Sequence, residues 1–210
     1  MLRALVNAVM PQRCVFCGEL SRDNEQFICD GCREDLSRAD PAPPTAPLEA
    51  EVAPLAYAFP VDAAIKALKF RRKLFYVPAL AGVLRDALID LPDDIDAVLP
   101  VPLHWRRQWF RGFNQAIEIG RPVACQLGVP VINNVIRKRA TPYQSGLDSD
   151  DRAKNLRAAF VVRDSLSHTH VLIVDDVITT GATVGELARV LRQAGVERVS
   201  ALAVARATGK

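Results

Sequence analysis

The chain has 210 residues, of which 50% are apolar and 24% are charged, and its formal net charge is +3. This composition suits one ordinary core with a small additional module, and it argues against wholesale disorder. The charge by itself is too small to indicate a nucleic-acid-binding protein. No apolar run approaches the ~20 residues of a membrane span, so we expect no membrane insertion. We see no targeting signal and expect a cytoplasmic protein.

Composition divides the chain into three parts. Residues 1–40 carry four of the five cysteines, and residues 41–54 carry five prolines, which predicts a semi-rigid linker. Residues 55–210 alternate apolar runs with helical patterns, as is typical of an α/β domain with a largely parallel sheet. The predicted strands are Ala97–Val101, Val129–Ile136, Ala158–Val162, Val171–Val174 and Val199–Ala205, and the predicted helices cover 61–70, 76–90, 113–127 and 182–194.

Four cysteines, Cys14, Cys17, Cys29 and Cys32, form the pattern C-x2-C-x11-C-x2-C. Two such pairs can supply four thiolates in a tetrahedral arrangement, which suits a structural Zn²⁺ without an open coordination position. Because the segment has few apolar residues, metal binding would supply the free energy of its folding, roughly 10–16 kcal/mol in zinc-finger peptides. Two disulfides or a redox pair are the alternatives. We expect Cys125, in an apolar helical stretch, to be a buried, inert thiol.

The segment that begins at Val171 combines a strand, two acids and a loop of small residues. Val171–Val174 is a continuous apolar run, Asp175 and Asp176 follow it, and residues 179–183 read TTGAT before a helical pattern. Ligands of open α/β folds bind at this edge of the sheet, and a helix N-terminus favours a phosphate. The loop lacks the lysine of a nucleotide P-loop and lacks G-x-G-x-x-G. A sugar with free hydroxyls and a phosphate fits the pattern, and a purely structural strand–turn–helix is the alternative.

VLIVDDVITTGAT, residues 171–183, resembles the 5-phosphoribosyl-1-pyrophosphate (PRPP) signature of type I phosphoribosyltransferases. The resemblance implies that fold, with Asp175 and Asp176 on the ribose hydroxyls and residues 179–183 on the 5′-phosphate. It also implies Mg²⁺, bound with PRPP, bridging pyrophosphate and ribose oxygens. Purine-salvage members carry an aspartate where this chain has Thr179, so the form found here is closer to the orotate type.

Two basic segments, residues 100–116 and 137–160, are candidates for binding pyrophosphate. Guanidinium groups suit bidentate phosphate contacts, and long polar loops often act as lids. The basic side chains are Arg106, Arg107 and Arg111 in the first segment and Arg139, Arg152 and Lys154 in the second. A solvated basic loop and a disordered surface loop are the alternatives.

The candidate site residues are therefore of two kinds. The candidate catalytic residues are Asp175, Asp176 and Arg111, and the candidate ligand contacts are Asp175, Asp176, Val177, Thr179, Thr180, Gly181, Ala182, Thr183, Arg106, Arg107 and Arg139.

Together the four-cysteine pattern, IKALKFRRK, RGFNQ and the PRPP signature resemble the ComF family, phosphoribosyltransferase relatives associated with DNA uptake in natural competence. The resemblance implies a zinc-ribbon or knuckle module at residues 1–40, a linker at 41–54 and a phosphoribosyltransferase-like domain at 55–210. It also implies a helicase-like partner near a DNA-import channel.

Aromatic and basic side chains alternate at residues 66–76 and 105–113, a mixture that holds single-stranded DNA in many proteins. For residues 66–76, an amphipathic core helix with solvated lysines is the alternative. Two functions stay open: phosphoribosyl transfer from PRPP to an acceptor that the sequence does not identify, or PRPP sensing or single-stranded-DNA binding without turnover.

Overall fold

The computed structural model describes residues 12–20, 27–138 and 159–207, and within these ranges seven strands form two sheets. The strands are β1 (Glu51–Val52), β2 (Leu55–Ala56), β3 (Ala97–Pro100), β4 (Val135–Arg137), β5 (Phe160–Val162), β6 (His170–Ile178) and β7 (Arg198–Arg206). In the main sheet β6 lies between β3 and β7, and both β1 and β2 pair with β7. All these pairs are parallel, as predicted, whereas β4 and β5 form an antiparallel pair.

Most of the α-helices pack on the main sheet. The α-helices are α1 (Asp30–Glu34), α2 (Val61–Arg71), α3 (Val77–Asp86), α4 (Trp105–Arg111), α5 (Gln115–Leu127) and α6 (Ala182–Gln193), and 3₁₀ turns occur at Leu74–Tyr76 and Ala87–Asp90. Those that pack on the sheet are α2, α3, α5 and α6. The start of α5 is fixed by Asn114, whose side chain accepts a hydrogen bond from the Ala116 N–H at 3.0 Å and donates one to the Val101 carbonyl at 3.0 Å. Among the described residues, no helix has the length and apolarity to cross a membrane.

Both faces of the main sheet are buried, which explains the continuous apolar runs of its strands. Alternate residues of one strand face different cores: Leu172 and Val174 pack with α2, α3 and α5, whereas Val171 and Ile173 pack with α6 and the β4–β5 pair. The sheet is therefore the middle layer of three, and its carboxyl edge is left for the loops that follow the strands.

The first of these cores also takes in the cysteine-rich segment. Cys14, Ile28 and Leu36 are buried in the same cluster as Leu80 and Leu84. In addition, Arg33 of α1 forms an ion pair with Asp86 of α3 at 2.5 Å. The four-cysteine module thus packs directly against the helices of the larger domain.

Three predicted boundaries differ from the structure. The linker predicted at 41–54 ends inside the sheet, because Glu51 and Val52 pair with β7. The single strand predicted at Val129–Ile136 is instead a bridge from Val131 to Val98 followed by β4, since the chain leaves the sheet in between. The strand predicted to end at Val174 continues to Ile178, because β7 pairs with β6 beyond the end of β3.

A buried polar network closes the opposite, amino-terminal edge of the sheet. The ring of His170 contacts Asp94 Oδ1 through Nδ1 at 2.8 Å and Ser200 Oγ through Nε2 at 2.9 Å. His170 and Ser200 are both fully buried. The hydroxyl has no access to a substrate, so this network satisfies polar groups between the strands and is structural.

Candidate functional site

The two adjacent acids lie at the carboxyl end of β6, just beyond the end of β3. Pro100 at the end of β3 is in register with Val174, and Asp175 follows, in register with Ala203 of β7. Asp176 is buried and Asp175 is half-buried. The Asp175 carboxylate accepts a hydrogen bond from the Asp176 N–H at 2.8 Å. Both acids therefore occupy the sheet edge at which ligands of such folds bind.

Lys69 of α2 places a positive charge beside Asp176. Its ammonium group forms an ion pair with Asp176 Oδ2, and its side chain is only 20% exposed. Burial alone would lower the pKa of Lys69, but the carboxylates of Asp176 and Asp175 outweigh it and raise the pKa above its usual value. Lys69 therefore stays charged and offsets part of the negative charge of the site.

Asp175 is held in an environment that disfavours its charge. Burial raises its pKa well above the ordinary value, and the neighbouring Asp176 raises it further, while Lys69 opposes the shift. Two carboxylates side by side with one ammonium group leave excess negative charge. Hydroxyl donors or a cation placed between them would stabilise the ionised form of Asp175.

The loop after β6 is shaped to admit an anion. Gly181 adopts a left-handed conformation, with φ 73° and ψ −8°, and α6 begins at the next residue. The hydroxyl of Thr180 accepts a hydrogen bond from the Ala182 N–H at 3.4 Å. Asp175, Thr179, Gly181 and Thr183 line a shallow depression. The amides at the start of this 12-residue helix thus lie on the same side of the sheet edge as the acids.

Arg137 interacts with Asp175 from another element, and Arg107 lies near Arg137. Burial lowers the pKa of Arg137, at the end of β4, and the positive charge of Arg107 lowers it further, while Asp175 opposes the shift. The guanidinium group of Arg137 lies 5.5 Å from the centre of the Phe160 ring. Arg137 is therefore close enough to interact electrostatically with both Asp175 and Arg107, and an anionic ligand would stabilise the two like charges of Arg137 and Arg107.

The other basic residues of the first segment are placed differently. Residues 105–111 form α4 rather than a loop, and Arg106 lies 5.4 Å from the ring of Trp105. Arg111 donates a hydrogen bond to Gln115 Oε1 at 3.0 Å, and its guanidinium group lies 5.3 Å from the ring of Phe70. A catalytic role for Arg111 remains a prediction.

The contact between Arg111 and Phe70 joins the two segments in which aromatic and basic residues alternate. Arg72 also reaches across, with its guanidinium group donating to the Phe110 carbonyl at 3.4 Å. We call residues 70–75 and 105–111 the aromatic–basic surface. Its large apolar side chains are strongly exposed, with Phe70 at 70%, Trp109 at 82% and Phe110 at 89%.

The four cysteines of the module converge on one point. Their sulfur atoms all lie within 4.8 Å of one another, and Cys17 Sγ lies 3.6 Å from Cys29 Sγ. A tetrahedral zinc site with Zn–S bonds of 2.3 Å needs S···S separations of roughly 3.8 Å. Burial raises the pKa of Cys14, but the backbone N–H groups of Cys17, Cys29 and Phe16 outweigh it and lower the pKa to about 6. The donor set therefore fits a structural zinc ion.

Some sequence predictions require correction or stay outside the described ranges. Cys125 is exposed, not buried, because the buried face of α5 includes Val123 and Ala124 but not the next residue. Arg139, Arg152 and Lys154 lie outside the described residues. Lys69, in the basic segment 66–76, forms an ion pair with Asp176 instead of lying on the surface with the other basic side chains.

The sequence interpretation missed the roles of Lys69 and Arg137. A signal for Lys69 was present, since it lies four residues after Ile65 on the buried stripe of α2 that also includes Leu68. A lysine on an apolar stripe indicates a buried partner of opposite charge, because lysine is rarely buried unless it is paired. Arg137 follows directly on a predicted strand, but its position beside Asp175 depends on the chain leaving the main sheet after Val131.

Two family models match the chain in agreement with this architecture. The phosphoribosyl transferase domain matches residues 115–210, and the double zinc ribbon domain matches residues 5–45. These matches confirm the predicted fold class, a type I phosphoribosyltransferase domain preceded by a four-cysteine zinc ribbon. Among solved structures, the glutamine PRPP amidotransferase from B. subtilis aligns with 66% of this chain and 30% of its own, at 18% identity and a TM-score of 0.45.

Curated relatives identify the family. Competence protein F of Haemophilus influenzae is 37% identical over 163 residues, which cover 72% of this chain and 70% of that protein. The DNA utilization protein YhgH of Salmonella typhimurium is 38% identical over 152 residues, covering 68% of this chain and 66% of that protein. With a phosphoribosyltransferase domain, a zinc ribbon and relatives at this level of identity, the chain belongs to the ComF family of competence and DNA utilization proteins.

Proposed function

We propose that the chain binds PRPP at the carboxyl edge of its sheet and acts in the handling of DNA during uptake or utilization. The observation that carries the proposal is the arrangement of Asp175 and Asp176 beside a left-handed Gly181 at the start of α6. The acids can accept hydrogen bonds from vicinal ribose hydroxyls, and the loop and helix N-terminus can hold the 5′-phosphate.

The surrounding cations suit the pyrophosphate group of the same ligand. Lys69 pairs with Asp176, and Arg137 interacts electrostatically with Asp175 and with the like charge of Arg107. The carboxylate oxygens of Asp175 and Asp176 are also ligands of the kind that Mg²⁺ prefers. Mg²⁺ bound with PRPP would neutralise charge on the pyrophosphate, and the chain's own contribution is to orient the ribose and stabilise the departing pyrophosphate.

The proposal has two versions: the protein either transfers phosphoribose from PRPP to an acceptor or binds PRPP without turnover. Phosphoribosyl transfer needs an acceptor, and Thr179 stands where purine-salvage relatives carry an aspartate for the base. The structure gives no feature among the described residues that identifies a nucleobase acceptor. Pyrophosphate release from PRPP and Mg²⁺, measured across a panel of bases and nucleic acids, separates a transferase from a PRPP-sensing module.

A second function, binding of single-stranded DNA, is favoured by the aromatic–basic surface. Trp109 and Phe110 are almost fully exposed, although aromatic side chains of this size are usually covered. They lie on the helix that also carries Arg106 and Arg107. Stacking platforms combined with cations hold single strands without strong sequence preference. The names of the relatives, competence protein F and DNA utilization protein, agree with this proposal.

The zinc ribbon has a structural role in the proposal. Its four thiolates complete a tetrahedral set and leave no open position for a substrate. Zinc would hold Cys14 and the neighbouring Ile28 in place against the core that α3 lines.

Thermal unfolding in the presence of candidate ligands tests PRPP binding. With Mg²⁺, PRPP should raise the unfolding temperature more than ribose 5-phosphate or pyrophosphate alone, because only PRPP engages the acids, the loop and the cations together. Equal shifts with pyrophosphate and PRPP would show that the acids and loop take no part, and would contradict the proposal.

A further inference from the structure

A short segment between the zinc ribbon and β1 lies against the loop that precedes α6. We call residues 44–48 the strap. The Leu48 N–H donates to the Thr45 carbonyl at 2.8 Å, which closes a turn, and the Leu48 side chain is buried. The Thr45 N–H donates to Glu51 Oε2 at 3.0 Å. The strap is therefore anchored to the sheet at several points.

The anchor at Glu51 is itself fixed by charge. The Glu51 side chain is fully buried, and its Oε1 lies 2.8 Å from Arg206 Nη1 at the end of β7. Breaking a buried pair leaves an uncompensated charge, so this contact resists displacement. Thr45 is thereby held at the same carboxyl edge of the sheet as the PRPP signature.

Thr45 touches both glycines at the start of α6. A Cβ atom added at Gly181 would lie 2.0 Å from Thr45 Oγ1, and one added at Gly185 would lie 3.0 Å from Thr45 Cγ2 and 3.3 Å from the Ala46 carbonyl. No side chain at Gly181 fits beneath the strap, and one at Gly185 fits only if the strap shifts. The absence of both side chains allows the strap to rest on the loop itself.

We infer that Thr45 is a positioning residue for the phosphate-binding loop, residues 179–183. The inference rests on the proposed PRPP site, since the loop is taken to hold the 5′-phosphate. Gly181 has φ 73°, a conformation that glycine leaves easily because its backbone is permissive. Contact with Thr45 restricts that freedom, so the amides of Ala182 and Thr183 are arranged before the ligand arrives. Preorganisation of this kind raises affinity without any contact to the ligand.

Gly185 offers the sharper test, because it lies in the helix and carries no left-handed backbone. Gly185→Ala should push the strap away through the Cγ2 atom of Thr45. Thr45→Ser removes that atom but keeps the hydroxyl, so the double variant Thr45→Ser, Gly185→Ala should recover part of the loss, while the contact with the Ala46 carbonyl at 3.3 Å remains. Gly82→Ala is the matched control, since Gly82 also lies in a helix and an added Cβ there meets only the tip of Arg85 at 4.0 Å.

Two measurements are made on each variant and on Thr45→Gly. The first is hydrogen exchange of residues 179–184 in the ligand-free protein, and the second is PRPP affinity in the presence of Mg²⁺. We expect faster exchange and at least about fivefold weaker binding in Gly185→Ala and Thr45→Gly. We expect near wild-type values in Gly82→Ala and, in the double variant, values between those of Gly185→Ala and the wild type.

Unchanged exchange in Gly185→Ala and Thr45→Gly, or a defect in Gly185→Ala that Thr45→Ser does not reduce at all, overturns the inference. So does weaker binding that only follows a lower global stability in urea. If wild-type protein does not bind PRPP, the proposed function fails, and hydrogen exchange in the same variants still decides whether Thr45 orders the loop.

Discussion

The ammonium group of Lys69 and the buried carboxylate of Asp176 form an ion pair across the contact between α2 and the end of β6. This pair links the helix that leads into the aromatic–basic surface to the acids of the PRPP signature. In the ligand-free protein Lys69 supplies the charge that would otherwise be missing beside Asp176. Lys69 therefore stays charged beside the two acids at which we propose that PRPP binds.

Replacement of Lys69 should be costly for stability. Lys69→Met leaves Asp176 buried without its partner, so we expect a loss of roughly 2–3 kcal/mol in the free energy of unfolding, somewhat less than for fully buried pairs. Lys66→Met is the matched control on the same helix, because the Lys66 side chain, which pairs with Asp62, is 55% exposed, and its loss should cost only about 0.3–0.5 kcal/mol. Urea unfolding measures both. Similar losses in the two variants would contradict a buried role for Lys69.

The raised pKa of Asp175 predicts a pH-dependent stability difference. The folded state binds this proton more tightly than the unfolded chain, whose aspartate has the ordinary pKa of 3.8. The contribution of Asp175 to stability is therefore present at pH values below about 4 and is lost as the pH rises through the folded-state pKa. Asp175→Asn should be more stable than wild type at pH 8, and this advantage should shrink toward pH 4. Urea unfolding across this range would show a constant difference if the carboxyl group were not perturbed.

The zinc content of the protein should depend on the four clustered cysteines and not on Cys125. Cys14→Ser removes one of four ligands from a segment that lies against the main core, so we expect loss of zinc together with lower solubility. Cys125 is exposed on α5, and Cys125→Ser should leave both properties unchanged. Metal analysis of the purified proteins checks this. Full zinc content in Cys14→Ser would argue against the proposed ligand set.

The aromatic–basic surface should bind single-stranded DNA in a salt-dependent manner. Affinity should fall steeply with added salt because cations that contact phosphates release counterions. Trp109→Ala should weaken binding by about 1–3 kcal/mol per lost stack without changing PRPP affinity, whereas Arg107→Ala should weaken both. Ile89→Ala, at an equally exposed apolar side chain outside this surface, is the control. Titration with labelled single strands at two salt concentrations tests this, and equal affinity in wild type and Trp109→Ala would place the DNA elsewhere.

Local patterns predicted the three longest strands of the main sheet, β3, β6 and β7, and the cysteine cluster. Apolar runs such as Val171–Val174 identify strands buried on both faces, and the acids and small residues that follow mark the edge of the sheet where we propose that a sugar phosphate binds. The cysteine spacing identified a cluster that the structure brings together. These signals lie within short segments, so no long-range information was needed.

The remaining features depend on contacts between distant segments. The end of β6 is set by how far β7 continues beside it, and the place of Arg137 is set by the chain leaving the sheet after Val131. Thr45 lies in a proline-rich stretch with no periodicity, and only the fold brings it to Gly181. Such positions are fixed by tertiary packing and leave no local trace in the sequence.

Calorimetric titration of the protein with PRPP and Mg²⁺ at pH 8 tests the central claim most directly. We expect saturable binding at one site per chain, weakened at least tenfold in Asp175→Asn, since a hydrogen bond to a charged group contributes roughly 1.5–3 kcal/mol. Asp175→Asn removes one of two adjacent negative charges, so the variant should stay folded. The control is Asp164→Asn, at an exposed acid after β5, which should bind PRPP as the wild type does. No saturable binding by the wild type, or equal affinity in Asp175→Asn, would contradict the proposed site.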